Sequence, residues 1–118
     1  MKVLVVDDSV AMRMIVKKMV KAAGFSADFI EAADGQLGLD KIKSDSPDLV
    51  LCDWNMPNMS GIELLTALND EGITVDFGFV TTESSDEMRT KAEDLGAKFL
   101  ISKPFTKESV HEALKSFF

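Results

Sequence analysis

At 118 residues, with 46% hydrophobic and 28% charged positions, the chain has the makeup of one globular domain with a packed core, which excludes a disordered or fibrous protein. Thirteen basic against twenty acidic residues give a net charge of −7, which opposes contact with phosphate backbones and argues against nucleic acid as a direct partner. No apolar run approaches a membrane span of about 20 residues, no signal-peptide core follows Met1-Lys2, and the lone Cys52 excludes a disulfide framework, so a cytoplasmic, single-domain protein over residues 1–118 with no output module is expected.

Short apolar runs alternate with segments of helical period, the pattern of repeated βαβ units and a parallel sheet. The first strand is read at Lys2–Val6 and stops on Asp7-Asp8. A helix follows, with Met12, Ile15, Val16 and Met19 spaced as a core stripe and Gly24 as its left-handed stop. The second strand, Ala27–Ala32, ends in the blander Glu31-Ala32. A weaker helix over Gln36–Lys43, with Leu37 and Leu39 apolar, gives way at Pro47 to the third strand, Leu49–Cys52. That strand runs straight into Asp53. Cys52 lies within this apolar run and reads as a buried small hydrophobe.

Ser60-Gly61-Ile62-Glu63 has the form of a capping box opening a helix over Ile62–Leu68. The fourth strand, Val75–Val80, ends in Thr81-Thr82, and Ser84-Ser85-Asp86-Glu87 repeats the capping form before a helix over Glu87–Leu95. The fifth strand, Lys98–Ser102, leads into Lys103-Pro104. A last helix buries Val110, Ala113, Leu114 and Phe117 and turns His111, Glu112 and Lys115 to solvent, so His111 is assigned no role.

Open parallel sheets bind ligands beyond the carboxyl ends of their strands, beside the switch point in strand order. Asp7, Asp8, Asp53, Thr81 and Lys103 gather there. Each alone reads as a cap, a turn or a solvated charge; their joint placement at neighbouring strand ends is the argument for a site. Crowded carboxylates repel one another, and an all-oxygen cluster favours a hard cation, Mg2+ ahead of Ca2+ because no dedicated calcium loop is present. A carboxylate beside a metal and cationic or hydroxyl donors can accept a phosphoryl group. On that reading Asp53 is the acceptor, Asp8 and Asp53 hold the metal, Asp7 assists through water, and Lys103 and Thr81 grip phosphoryl oxygens.

Asp7-Asp8, Asp53 within Asp53-Trp54-Asn55-Met56-Pro57-Asn58-Met59-Ser60-Gly61, Thr81 and Lys103-Pro104-Phe105 stand in order and at family spacing, so the whole chain resembles the receiver domains of two-component response regulators, most closely the single-domain chemotaxis (CheY-like) type. The resemblance implies a flavodoxin-like, doubly wound α/β fold of five parallel strands in order 2-1-3-4-5 with five helices. It implies phosphoryl transfer from the phosphohistidine of a sensor histidine kinase to Asp53, with Mg2+ also held by the backbone carbonyl of Asn55, and self-catalysed hydrolysis. It further implies a signalling protein and not an enzyme with an external substrate, an output partner docking on the fourth helix, fifth strand and fifth helix, a monomer, and a cis Lys103–Pro104 bond.

Two positions depart from the family pattern. Leu100 stands where members often carry Tyr or Phe, with Phe99 facing the other side of the strand, and Thr82 stands where a small residue is common. Asn55 and Glu83 occupy positions that tune dephosphorylation in relatives, an ordinary solvated carboxylate being the competing reading of Glu83. Two other readings compete for the whole chain: an interaction module that is never phosphorylated, and a magnesium-dependent phosphohydrolase, for which the second acid expected two residues after Asp53 is replaced by Asn55. A flavin site is discounted because no hydroxyl- and glycine-rich loop follows the first strand.

Overall fold

The computed structural model describes residues 1–82, 85–103 and 105–118. The expectations placed on Glu83, on Ser84 and on the Lys103–Pro104 bond lie outside the described residues. Strands β1 (Lys2–Val6), β2 (Asp28–Ala32), β3 (Leu49–Cys52), β4 (Asp76–Thr81) and β5 (Phe99–Ser102) alternate with helices α1 (Val10–Ala22), α2 (Gly35–Asp45), α3 (Gly61–Asp70), α4 (Asp86–Asp94) and α5 (Lys107–Leu114). All pairings are parallel and the order is β2-β1-β3-β4-β5, as expected. Strand positions agree with the sequence reading to within one residue at each end.

Strand alternation divides the core between the two faces of the sheet. Leu4, Val6, Val50, Phe77 and Phe79 point toward α2, α3 and α4, where Leu39, Leu64 and Ala92 meet them. Val3, Val5, Leu49, Leu51 and Ile101 point toward α1 and α5, against Val16, Val20, Val110 and Leu114. Phe77 and Phe79 are fully buried, each worth about 1.5–3 kcal/mol on transfer from water. On β5 the split is sharp: Phe99 joins the α1/α5 layer, its ring 5.5 Å from that of Phe117, while Leu100 packs on the opposite layer. Phe99 therefore faces away from Leu100, as alternation requires.

Two details of the helices, the place of Ile15 and the cap of α4, differ from expectation. The buried line of α1 is Val16 and Val20, with Met19 packed beside them, whereas Ile15 is 44% exposed and lies off the core face. Leu37 is likewise exposed, leaving Leu39 and Ile42 to anchor α2. The cap of α4 is Ser85, which accepts a hydrogen bond from Met88 N; the third helical residue is thus Met88, so this helix lacks the reciprocal acid that Glu63 supplies to the Ser60 capping box of α3. Gly24, at φ +96°, follows the end of α1 as its left-handed stop. His111 is exposed as expected, yet it does make contacts: Nδ1 lies 3.1 Å from Ala23 O, and the ring stacks on Phe25.

Candidate functional site

Because the strands are parallel, β1, β3, β4 and β5 all deliver their last residues to one edge. The first loop is held by backbone bonds on both sides: Asp7 N donates to Ala32 O at 3.1 Å, and Asp53 N donates to Val6 O at 2.9 Å. Asp7 is 4% exposed, Asp53 half-buried and Asp8 exposed, and one carboxylate oxygen from each lies within 4.8 Å of the others. Asp7 is already engaged, with Oδ1 accepting from Ser9 N at 2.9 Å and Oδ2 lying 3.5 Å from Lys103 Nζ. Asp53 Oδ1 accepts from Trp54 N at 2.9 Å and lies 3.7 Å from the same ammonium. Thr81, 1% exposed, closes β4 opposite Ser102, and its carbonyl accepts from Lys103 N at 2.6 Å. Asn55 is exposed in the loop after β3. The sheet thus brings Asp7, Asp8, Asp53 and Lys103 together, with Thr81 beside Lys103.

Burial raises the Asp53 carboxyl above its ordinary range. The ammonium of Lys103 counters this, Asp7 and Asp8 add to it by repulsion, and the Trp54 N–H opposes it. A cation placed among the three acids would relieve that strain on the ionised form. The donor set is entirely oxygen, two of its members are partly or fully solvent-facing, and no soft ligand intrudes, so the residues present fit Mg2+.

The loop after β3 is shaped by contacts that the sequence reading did not anticipate. Asp34 caps α2, accepting from Leu37 N at 2.8 Å, and its other oxygen accepts from Asn58 Nδ2 at 2.8 Å. Those two bonds hold the Asp34 carboxyl below the usual range. Asn58 sits at φ +65°, a left-handed turn that Asn tolerates, and Gly35 N donates to Met59 O at 3.1 Å. The start of α2 and the loop beyond Asp53 are therefore clasped together. Trp54 packs its ring 4.7 Å from that of Phe79, fixing the other side of Asp53.

The end of β2 is also busier than its sequence promised. Glu31 pairs with Arg13 and Lys17, and Arg13 Nη1 donates to the backbone carbonyl of Asp7. The one sequence signal for this was an arginine three residues before Val16 and seven before Val20, on the face of α1 that turns to the sheet.

The order β2-β1-β3-β4-β5 defines a flavodoxin-like, doubly wound protein, with an acid cluster and a lysine side by side at the carboxyl edge of its sheet. The family model of the response regulator receiver domain matches residues 3–115, and the chain belongs to that family of signalling proteins. It is 36% identical over 120 residues to the chemotaxis protein CheY of Pseudomonas aeruginosa, covering all of this chain and 96% of the relative. It is 38% identical to the chemotaxis protein CheY-3 of Vibrio cholerae, covering 92% of that protein. The crystallised CheY4 of Vibrio cholerae superposes with a TM-score of 0.85 at 32% identity, over 99% of this chain and 98% of that one. Among the described residues no helix is long and apolar enough to cross a membrane.

Proposed function

We propose that residues 1–118 act as one receiver unit in which Asp53 accepts a phosphoryl group from a histidine kinase phosphohistidine. The observation that carries this reading is the position of Lys103 Nζ, within 3.7 Å of Asp53 and 3.5 Å of Asp7, at the mouth of a three-carboxylate cluster. In the transfer, an Asp53 carboxylate oxygen forms the new P–O bond as the P–N bond of the donor imidazole breaks, and the imidazole nitrogen leaves with the bonding pair. Lys103 neutralises charge on the equatorial oxygens, and the Thr81 hydroxyl donates to one of them. Mg2+, when bound, supplies further charge neutralisation at those oxygens. Asp8, Asp53 and the Asn55 carbonyl would hold it directly, and Asp7, already engaged by Ser9 and Lys103, would hold it through water. Attack of water at phosphorus breaks the acyl P–O bond, releasing inorganic phosphate and returning the free carboxylate.

Phosphorylation adds up to about one negative charge at Asp53, and the responding surface is α4, β5 and α5. The names of the relatives make chemotaxis the favoured pathway, and a cytoplasmic site follows from a kinase as donor. Incubation with Mg2+ and a small acyl phosphate is expected to add one phosphoryl mass, lost in Asp53→Ala. An adduct that persists in Asp53→Ala would overturn this assignment. A second reading, a partner-binding module independent of phosphorylation, is favoured by one observation: Leu100, in place of an aromatic, is packed into the α2/α3/α4 layer. Equal binding of a captured partner by wild type and Asp53→Ala, with and without phosphodonor, would support it.

A further inference from the structure

The carboxylates of Asp7 and Asp8 can share one small ion only if the peptide joining them is held in a fixed plane. Its nitrogen-side neighbour is secured, since Asp7 N is bonded to Ala32 O and Asp7 Oδ1 to Ser9 N. Its carbonyl is secured by a side chain: Arg13 Nη1 donates to Asp7 O from one turn inside α1. The same guanidinium donates through Nε to Glu31 Oε1 at 3.0 Å, and Glu31 Oε2 meets Lys17 Nζ at 3.0 Å. The Arg13 side chain is 13% exposed, so the fork is desolvated enough to hold its geometry, and Lys17 is more open at 27%. Arg13 thus spans from the end of β2 to the loop that carries both acids.

We propose that Arg13 is a positioning residue for magnesium: by pinning the Asp7–Asp8 peptide it sets the direction of the Asp8 carboxylate relative to Asp53. The inference rests on the receiver reading above. A positioning role and a purely electrostatic one have opposite signs. Removing a positive charge beside an acidic cluster strengthens its attraction for Mg2+ by Coulomb's law, whereas releasing the peptide weakens it. Groups that support metal ligands from outside typically contribute 10–100-fold in affinity.

The test is titration of the full chain with magnesium chloride, without phosphodonor, by calorimetry and by the fluorescence of Trp54, the single tryptophan, which follows Asp53 directly and whose backbone N–H donates to Asp53 Oδ1. Arg13→Ala is expected to weaken Mg2+ binding about tenfold, the low end of that range, while retaining its cooperative melt in EDTA. Arg13→Lys, whose single ammonium cannot serve both acceptors, weakens it by a smaller factor. Lys17→Met, which removes the same charge from the same carboxylate, leaves affinity unchanged or tighter. Wild-type affinity or tighter binding in Arg13→Ala, or in Arg13→Lys should the alanine variant fail to fold, overturns the role of Arg13 and leaves the receiver reading standing. A wild-type chain that takes up no Mg2+ overturns that reading first, and this inference with it.

Discussion

Gly61 passes so close to Asp53 that a β-carbon at position 61 would lie 2.2 Å from the Asp53 carbonyl oxygen and 2.8 Å from the Phe79 ring. The approach is drawn tight by the bond from Gly61 N to Trp54 O at 2.8 Å. Gly61→Ala must therefore push the acceptor strand end aside. We expect a loss of about 2–3 kcal/mol of stability and, because displacement of a reacting group by about 1 Å can cost about a hundredfold in rate, a comparable fall in phosphorylation by a small donor. Denaturant melts and initial rates by intact mass would check both; wild-type behaviour in each would show that the loop has room to spare.

Asp34 serves two structures with one carboxylate, the α2 cap and the loop of Asn58. Asp34→Ala is expected to cost about 2–3 kcal/mol, the sum of a lost cap and a charge-assisted bond. Because the folded-state pKa lies below the ordinary value, this stabilisation is present in full above about pH 4 and fades as pH falls through the folded pKa. The difference between wild type and Asp34→Ala should shrink on acidification. A difference that stays constant from neutral pH to acid would show that the charge of Asp34 contributes nothing.

Asp53 has the opposite sign. Its carboxyl titrates above the ordinary range, chiefly from burial, so the ionised form destabilises the fold and the cost grows as pH rises through the window between the unfolded and folded pKa values. Asp53→Asn in EDTA should raise stability at pH 7 by about 1 kcal/mol, or roughly 3–6 °C in Tm. The gain should fade as pH falls toward the unfolded value of about 4 and vanish well below it, where both states are protonated. Added Mg2+ should stabilise wild type, by about 2.7 kcal/mol at a hundred times its Kd, and stabilise Asp53→Asn much less. Equal melting of the two chains in EDTA at pH 7 would count against a destabilising Asp53.

Gly78 leaves a gap that the Phe99 ring fills, with ring atoms 2.1 Å from where a β-carbon would stand. Gly78→Ala should cost about 1–3 kcal/mol by overpacking and disturb the Phe99–Phe117 contact. Phe99→Leu in the same chain should recover part of that loss, the mark of two coupled neighbours. A double variant no more stable than Gly78→Ala would assign the cost to the β4 backbone instead.

Much of this architecture was legible because it depends on local pattern. Runs such as Val3–Val6 and Leu49–Cys52 define strands wherever they fall, and an acid immediately after such a run must stand at the sheet edge. Lys103 and Thr81 follow by the same logic. What escaped is non-local. Nothing near Asp34 in sequence points to Asn58, and the place of Arg13 on the sheet-facing side of α1 does not name its acceptors, the Asp7 carbonyl and Glu31; these meetings exist only after β2 lies beside β1 and α1 covers them. Helix faces are less legible where apolar residues outnumber the places in the core. Ile15 fits the period of α1 but is exposed. The capping-box pattern with Glu87 points to Ser84, whereas Ser85 caps α4 without an acid three residues on.

Cys52 has no exposure, and its thiol, which donates to the Asp53 carbonyl at 3.1 Å, is driven by burial to titrate well above its normal range. Only the thiolate attacks a disulfide reagent, expelling the reagent's own thiolate, so the folded chain should be silent to it and react only on opening. Because β3 lies at the centre of the sheet, between β1 and β4, the opening that exposes this sulfur also dismantles the carboxyl edge that carries Asp53. The rate of thiol capture is therefore a stopwatch for the lifetime of the strand end that carries Asp53, readable without ligand or phosphodonor.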